Sequence, residues 1–247
     1  MMQRLSLFNF PLDPLDLDGV VEKLEGWMGS FDPHTVITLN PEIVIQAEEE
    51  DAELAQVIRG ADLVSADGVG IVWAVKKMLD IDLPGRASGI DIITQLMERQ
   101  GSNLRVFFLG GKPGIAEQAA RNCAEKYGIQ VAGFEHGYFK DDGNEDLKLV
   151  EKIRAGYPHL LITSLGAGRQ EKFNHRHRNR LKVPIMIGAG GTLDVFSGTV
   201  ERAPEWTQKM KVEWAYRILG DRKRWNRFPR LMKFAMRVQN AKPIEKK

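Results

Sequence analysis

Cysteine is almost absent: Cys123 is the single one in 247 residues. That excludes an intrachain disulfide and a cysteine-based metal cluster, and the helical stretch IAEQAARNCAEKYG predicts a small packed residue in a cytoplasmic protein. Long apolar runs are missing as well. Nowhere does the chain reach the length needed to span a bilayer, and the opening MMQRLSLFNFPLDPLDLD does not read as a signal peptide, because acids and prolines precede any apolar run. Familiar catalytic motifs are also scarce. No Gly-x-Ser-x-Gly elbow, HExxH helix, GxGxxG turn or Walker lysine occurs, so hydrolase and dinucleotide oxidoreductase readings lose their support. His175 and His177 stand two residues apart, which points them away from each other on a helix, and solvated positions are expected rather than zinc.

What is present suffices for a large α/β core, with 43% hydrophobic residues. The formal charge of +2 conceals a division. Residues 201–247 hold 14 Lys or Arg against 5 Asp or Glu, so the tail is about +9 and the remainder about −7. The tail also repeats aromatic and apolar residues at helical spacing, namely Trp206, Met210, Trp214, Ile218 and Leu219, then Trp225, Phe228, Met232 and Ala235 or Met236 after a break before Pro229. Arg217, Arg222, Lys223, Arg224, Arg227, Arg230, Lys233 and Arg237 meet only Asp221 as an opposing charge within residues 217–237. That composition predicts an anionic membrane surface as partner, ahead of nucleic acid, for which no reading module is present.

Within the body, HTVITLN, LVSAD, LRVFFLGG, HLLITSLG and VPIMIGAGG read as buried strands, each followed by a turn and a helical pattern. Open parallel sheets keep their chemistry at the strands' carboxyl ends. Thr38, Asn40 and Asp67 fall there, facing one crevice, with Asn40-Pro41 as a helix start. Asp67 fits three roles: general base, ribose acceptor or helix cap, the last being the ordinary reading of an Asp before glycine. Arg86, on the loop IDLPGRASG, fits a phosphate or an ion pair with Asp67 or Asp82. Ser88 and Asp91 have capping-box spacing. The turn GGKPG, with Lys112, fits either a pyrophosphate site or a tight turn. Gln170 suits sugar hydroxyls, and Glu171, at the same helix start, suits dipole compensation. The acidic run EEED at residues 48–51 reads as a solvated face or a break in its helix.

The ordered set TLNPE, LVSADGVG, LPGRASGID, VFFLGGKPG, SLGAGRQEKF, GAGGTLDVFSGTVERAPEW and VEWAYRILGDRKRWNRF resembles the WecG/TagA/CpsF family of bacterial glycosyltransferases over nearly the whole chain. The resemblance implies a Rossmann-like α/β body over residues 1–200, with mostly parallel strands in two lobes (about 1–100 and 101–200) around a cleft. A basic amphipathic helical appendage over residues 201–247 would reach the membrane and complete the active site. It implies inverting transfer of a sugar, most often N-acetylmannosamine, from a UDP-sugar to a sugar on undecaprenyl diphosphate, with no cofactor and no metal. UDP-glucose or another UDP-hexose is the alternative donor, and a non-catalytic nucleotide-binding module is the alternative of a different class. Asp67 would be the catalytic base, Thr38, Asn40 and Gln170 cleft residues, and Arg202, Arg217, Arg222 and Arg224 the diphosphate-holding arginines. A homo-oligomer and a peripheral position on the inner face of the plasma membrane complete the expectation. One departure stands out: the family's usual proline before its Gln-Glu pair is Gly168 here, set within Gly166-Ala167-Gly168-Arg169-Gln170-Glu171.

Overall fold

The computed structural model describes residues 3–30, 32–141, 143–202 and 228–241. Its centre is a six-stranded sheet built from β3 (His34–Leu39), β4 (Leu63–Ala66), β5 (Arg105–Gly110), β6 (Gln130–Glu135), β7 (Leu160–Ser164) and β8 (Ile185–Gly188). The spatial order is β4-β3-β8-β7-β5-β6 and every pairing is parallel, so all six carboxyl ends share one edge. The apolar runs are continuous because the strands are covered on both faces. Val36, Leu63, Phe108, Ile162 and Ile187 pack on one side with α1 (Leu17–Trp27), α5 (Gly89–Gln100), α6 (Ile115–Tyr127) and α9 (Thr192–Phe196). Their alternating neighbours Ile37, Val64, Phe107 and Met186 pack on the other. There lie α2 (Pro41–Glu49), α3 (Ala52–Arg59), α4 (Val69–Leu79), α7 (Glu145–Ala155) and α8 (Arg169–Leu181). The fold is thus mixed α/β with a parallel sheet core, as the strand and helix periods imply.

The opening prolines conceal a ribbon that the sequence pattern leaves as extended chain. β1 (Leu5–Leu7) and β2 (Phe10–Leu12) pair antiparallel, and Pro11 is tolerated in so short a pairing. The ribbon is fastened to β4 through Asp13, whose backbone N–H donates to the Val64 carbonyl at 2.8 Å and whose Oδ2 accepts from the Val64 N–H at 2.8 Å.

Two expectations need correction. His177 is not solvated: it is 4% exposed and its Nε2 lies 3.2 Å from Asp146 Oδ2, while His175 is exposed. The i,i+2 spacing separates the two rings, as expected, but it turns His177 inward, and burial lowers its pKa. The second correction concerns α10 (Phe228–Asn240). Its buried residues are Phe234 and Val238, whereas Phe228, Met232 and Met236, which form the apolar stripe read from the sequence, are 46–55% exposed. Its cations also find opposing charge, supplied by α2 across 180 or more residues of sequence. Arg230 Nε donates to Glu50 Oε1 at 3.0 Å, Arg237 reaches Glu49 at 2.8 Å and Glu48, and Lys233 pairs with Glu49. The acidic run, which does break the helix between α2 and α3, is therefore a docking face for α10.

Cys123 is buried on α6, and burial pushes its thiol up to about 12, which agrees with a packed, unreactive residue. Among the described residues, no helix is long and apolar enough to cross a membrane.

Candidate active site

Parallel register places the ends of β3 and β4 side by side. Thr38 pairs with Ser65 and Leu39 with Ala66, and the Asp67 N–H donates to the Leu39 carbonyl at 2.8 Å. Asn40 and Asp67 therefore leave adjacent strands at the same level, roughly 4.8 Å apart in the pairing direction. Asn40 caps α2 as its sequence predicts: Oδ1 accepts from the N–H groups of Glu42 at 3.0 Å and Ile43 at 3.1 Å. Its acceptor is committed to the helix, which leaves the amide nitrogen for a ligand. Asp67 differs. The residue that caps α4 is Gly68, at φ 86°, and no side chain caps that helix. The N-cap position that an Asp before glycine ordinarily takes is thus held by the glycine itself.

The loop between α4 and α5 closes over the end of β4. Ser65 Oγ donates to the Ala87 carbonyl at 2.9 Å, and the Ala87 N–H donates to the Ala66 carbonyl at 2.9 Å. This fixes the half-buried Arg86 beside the strand end that carries Asp67. Asp82 is paired with Lys76 at 2.8 Å. The loop then starts α5 directly against β3, since a Cβ added to Gly89 would stand 3.5 Å from Thr38 Cγ2 and 3.7 Å from the Gly188 carbonyl. Ser88 caps that helix as its spacing predicts, its Oγ accepting from the Asp91 N–H at 3.4 Å and donating to Asp91 Oδ2 at 2.6 Å. What the spacing does not predict is the partner on the other Asp91 oxygen: Arg202 pairs there, while its Nε is buried without a hydrogen bond. Arg202 and the amino-terminal turn of α5 thus lie on the same side of the sheet as Thr38. Arg217, Arg222 and Arg224 lie outside the described residues.

Gln170 and Glu171 approach from the opposite face. Both are buried, and a Cβ on Gly188 would meet Gln170 Nε2 at 2.7 Å and Glu171 Oε1 at 2.8 Å. Gln170 donates to Glu171 Oε1 at 2.8 Å and accepts from the Gly190 N–H at 3.1 Å, so it holds the glycine turn that follows β8. Burial raises the Glu171 pKa against the hydrogen bonds it accepts, one of them from the Gly168 N–H at 2.7 Å. The Gly168 departure is legible in this geometry. Gly168 has φ 86°, which proline cannot adopt, and it supplies an N–H that proline lacks. Gly168→Pro should destabilise the protein by about 3 kcal/mol or more, read as a lower midpoint in thermal unfolding.

The remaining candidates are less engaged. Lys112 is exposed on the GGKPG turn, and α6 begins at Gly114 with no side-chain cap. Ser164, at the end of β7, is a residue the sequence reasoning passed over; its buried hydroxyl has no hydrogen-bond partner. The signal was available in LLITS, where a polar residue ends an otherwise apolar strand. Among the described residues, no group of three or more His, Cys, Asp or Glu side chains is placed to hold a metal ion.

A parallel sheet whose carboxyl edge carries a carboxylate, a hydroxyl, an amide and two arginines has the α/β architecture in which ligands are commonly held at that edge. The chain belongs to the Glycosyl transferase WecG/TagA/CpsF family, whose model matches residues 5–247, and it is accordingly a glycosyltransferase. It is 36% identical over 205 residues to an N-acetylglucosaminyldiphosphoundecaprenol N-acetyl-beta-D-mannosaminyltransferase of Bacillus spizizenii, covering 82% of this chain and 77% of that protein. A protein of the same description from Bacillus subtilis strain 168 is 29% identical over 240 residues, covering 96% and 91%.

Proposed function

We propose that the protein transfers N-acetylmannosamine from UDP to a hydroxyl of N-acetylglucosamine carried on undecaprenyl diphosphate, in cell-surface polysaccharide synthesis. The observation that carries this reading is the juxtaposition of Asp67 with Thr38, Asn40 and the start of α5 at one sheet edge, in a chain matched by the family from residue 5 to residue 247. The two Bacillus relatives are N-acetyl-beta-D-mannosaminyltransferases of N-acetylglucosaminyldiphosphoundecaprenol, which supports the transferred sugar and the acceptor.

In this mechanism Asp67 takes the proton of the acceptor hydroxyl as that oxygen attacks the anomeric carbon, and the UDP–sugar bond breaks with inversion. Thr38 and the Asn40 amide orient the sugar. Negative charge grows on the departing diphosphate, and Arg86, Arg202, the amides at the start of α5 and the tail residues Arg217, Arg222 and Arg224 stabilise it, with no metal taking part. Gln170 and Glu171 act by holding the β8 turn in place. The body of residues 1–200 and the appendage of residues 201–247 divide the work. The appendage brings the enzyme to the inner face of the plasma membrane, where anionic lipid and the acceptor are found. Because α2 binds three cations of α10, attraction to lipid falls to the rest of the tail, and the exposed Phe228, Met232 and Met236 offer an apolar stripe for insertion. Before membrane contact, self-association would cover the same stripe.

The test is product analysis by mass spectrometry of the full chain with a panel of UDP-sugars and a short-chain N-acetylglucosaminyl diphosphate lipid. The expected result is one added N-acetylhexosamine with UDP-N-acetylmannosamine. Transfer from UDP-glucose alone would move the reading to the hexose alternative. UDP binding without transfer from any donor would leave a nucleotide-binding module.

A further inference from the structure

Gly70 is the second residue of α4, a helical position where glycine is unfavourable because of the backbone freedom it gives up. The reason for it lies outside the helix. A Cβ added to Gly70 would stand 2.6 Å from Pro41 Cγ and 3.6 Å from Pro41 Cδ, so the first turn of α4 rests directly on the first turn of α2. Pro41 opens α2, and its ring is closed onto its own backbone, so it cannot swing aside as a free side chain would. One of these two helix starts follows Asn40 and the other follows Asp67.

The contact thus sits beside the candidate site. Parallel pairing of β3 with β4, and the bond from the Asp67 N–H to the Leu39 carbonyl at 2.8 Å, hold the two backbones level as they leave the sheet. Strand pairing fixes where the chains leave, and the helix starts fix the directions they take. Phe234 of α10 closes over the same point: it is 2% exposed, and its Cε1 lies 3.8 Å from the Cβ position of Gly70. Phe8, at the tip of the amino-terminal ribbon, holds Phe234 in turn, with ring centroids 5.5 Å apart. Phe234 also shares a core with Ile43 of α2 and Ile71 of α4. Gly70 is therefore closed in by α2 and by α10.

We propose that Gly70 is a positioning residue for sugar transfer: its lack of a side chain lets α2 and α4 start in contact, and that contact, backed by Phe234, sets the bearing of Asp67 toward Asn40. This rests on the reading of Asp67 as the base of a UDP-sugar transferase and extends it to what aims the carboxylate. An added methyl group has to reach an ordinary carbon–carbon separation of about 3.5–4.0 Å from Pro41, which moves the two helix starts apart by roughly 1 Å. A misplacement of about 1 Å between reacting groups costs on the order of 10²-fold in rate.

The test is a double-mutant cycle in the full-length protein, with Gly70→Ala made alone and in a Pro41→Ala background, where the opposing Cγ is gone. Single-turnover transfer to a short-chain N-acetylglucosaminyl diphosphate lipid and calorimetric titration with UDP are measured for each variant. Gly70→Ala should lower the transfer rate about 10–100-fold in the native background and about threefold or less in the Pro41→Ala background, with UDP affinity within about twofold of wild type throughout. Equal rate losses in the two backgrounds, no loss in either, or a loss of UDP binding in Gly70→Ala overturns the positioning role and leaves the transferase reading standing. A wild-type protein that transfers no sugar from any donor removes the transferase reading, and the positioning role with it.

Discussion

Asp67→Asn is expected to lower the rate of sugar transfer by about 10²–10⁴-fold while UDP binding stays within about twofold. The substitution keeps the shape of the side chain and removes its capacity to take a proton. The backbone N–H that ties residue 67 to Leu39 is present in either residue. Single-turnover transfer measured beside UDP calorimetry separates the outcomes. A lost rate with retained binding assigns the proton transfer to Asp67, and a retained rate removes it from that role.

Gly110→Ala is expected to cost about 3–5 kcal/mol and to lower the thermal midpoint by about 10 °C. Gly110 ends β5 at φ 135°, and a Cβ there would stand 2.2 Å from the Ser164 carbonyl oxygen and 2.6 Å from its carbonyl carbon. Both are backbone atoms of a paired central strand, so neither can rotate aside, and the sheet itself must open. Gly128→Ala is the control. Its φ of 69° is also left-handed, but a Cβ there meets nothing within 4 Å. The loss at Gly128 should be the conformational part alone, about 1–2 kcal/mol. The difference between the two midpoints measures how tightly β5 and β7 close at the corner that holds Ser164.

Much of this architecture is legible in the sequence because its signals are local. Apolar runs ending at Asn40, Asp67 and Gly110 mark strands, Asn40-Pro41 and Ser88 mark helix starts, and the structure places all of them as read. What stays illegible depends on partners far along the chain. The charges of α10 look unopposed because their partners, Glu42 and the acidic run at residues 48–50, lie 180 or more residues earlier. His177 looks solvated because its partner Asp146 is on another helix. Phe234 and Val238, the buried residues of α10, lie outside the stripe read from the sequence for the same reason: periodicity gives a stripe's spacing, and the neighbouring surface decides which residues are covered. Ser164 and the Arg202–Asp91 pair likewise become meaningful only when β5, β7 and α5 are brought to one edge.

The central claim is that a carboxylate at the end of β4 activates an acceptor hydroxyl for direct displacement, with no covalent sugar–enzyme intermediate. Nuclear magnetic resonance of the disaccharide released from the lipid product, made from an α-linked UDP-sugar, reads the configuration at the new glycosidic bond. The account predicts the inverted, β-linked product. An α-linked product would mean retention, by double displacement or by substitution on the same face, and would contradict it.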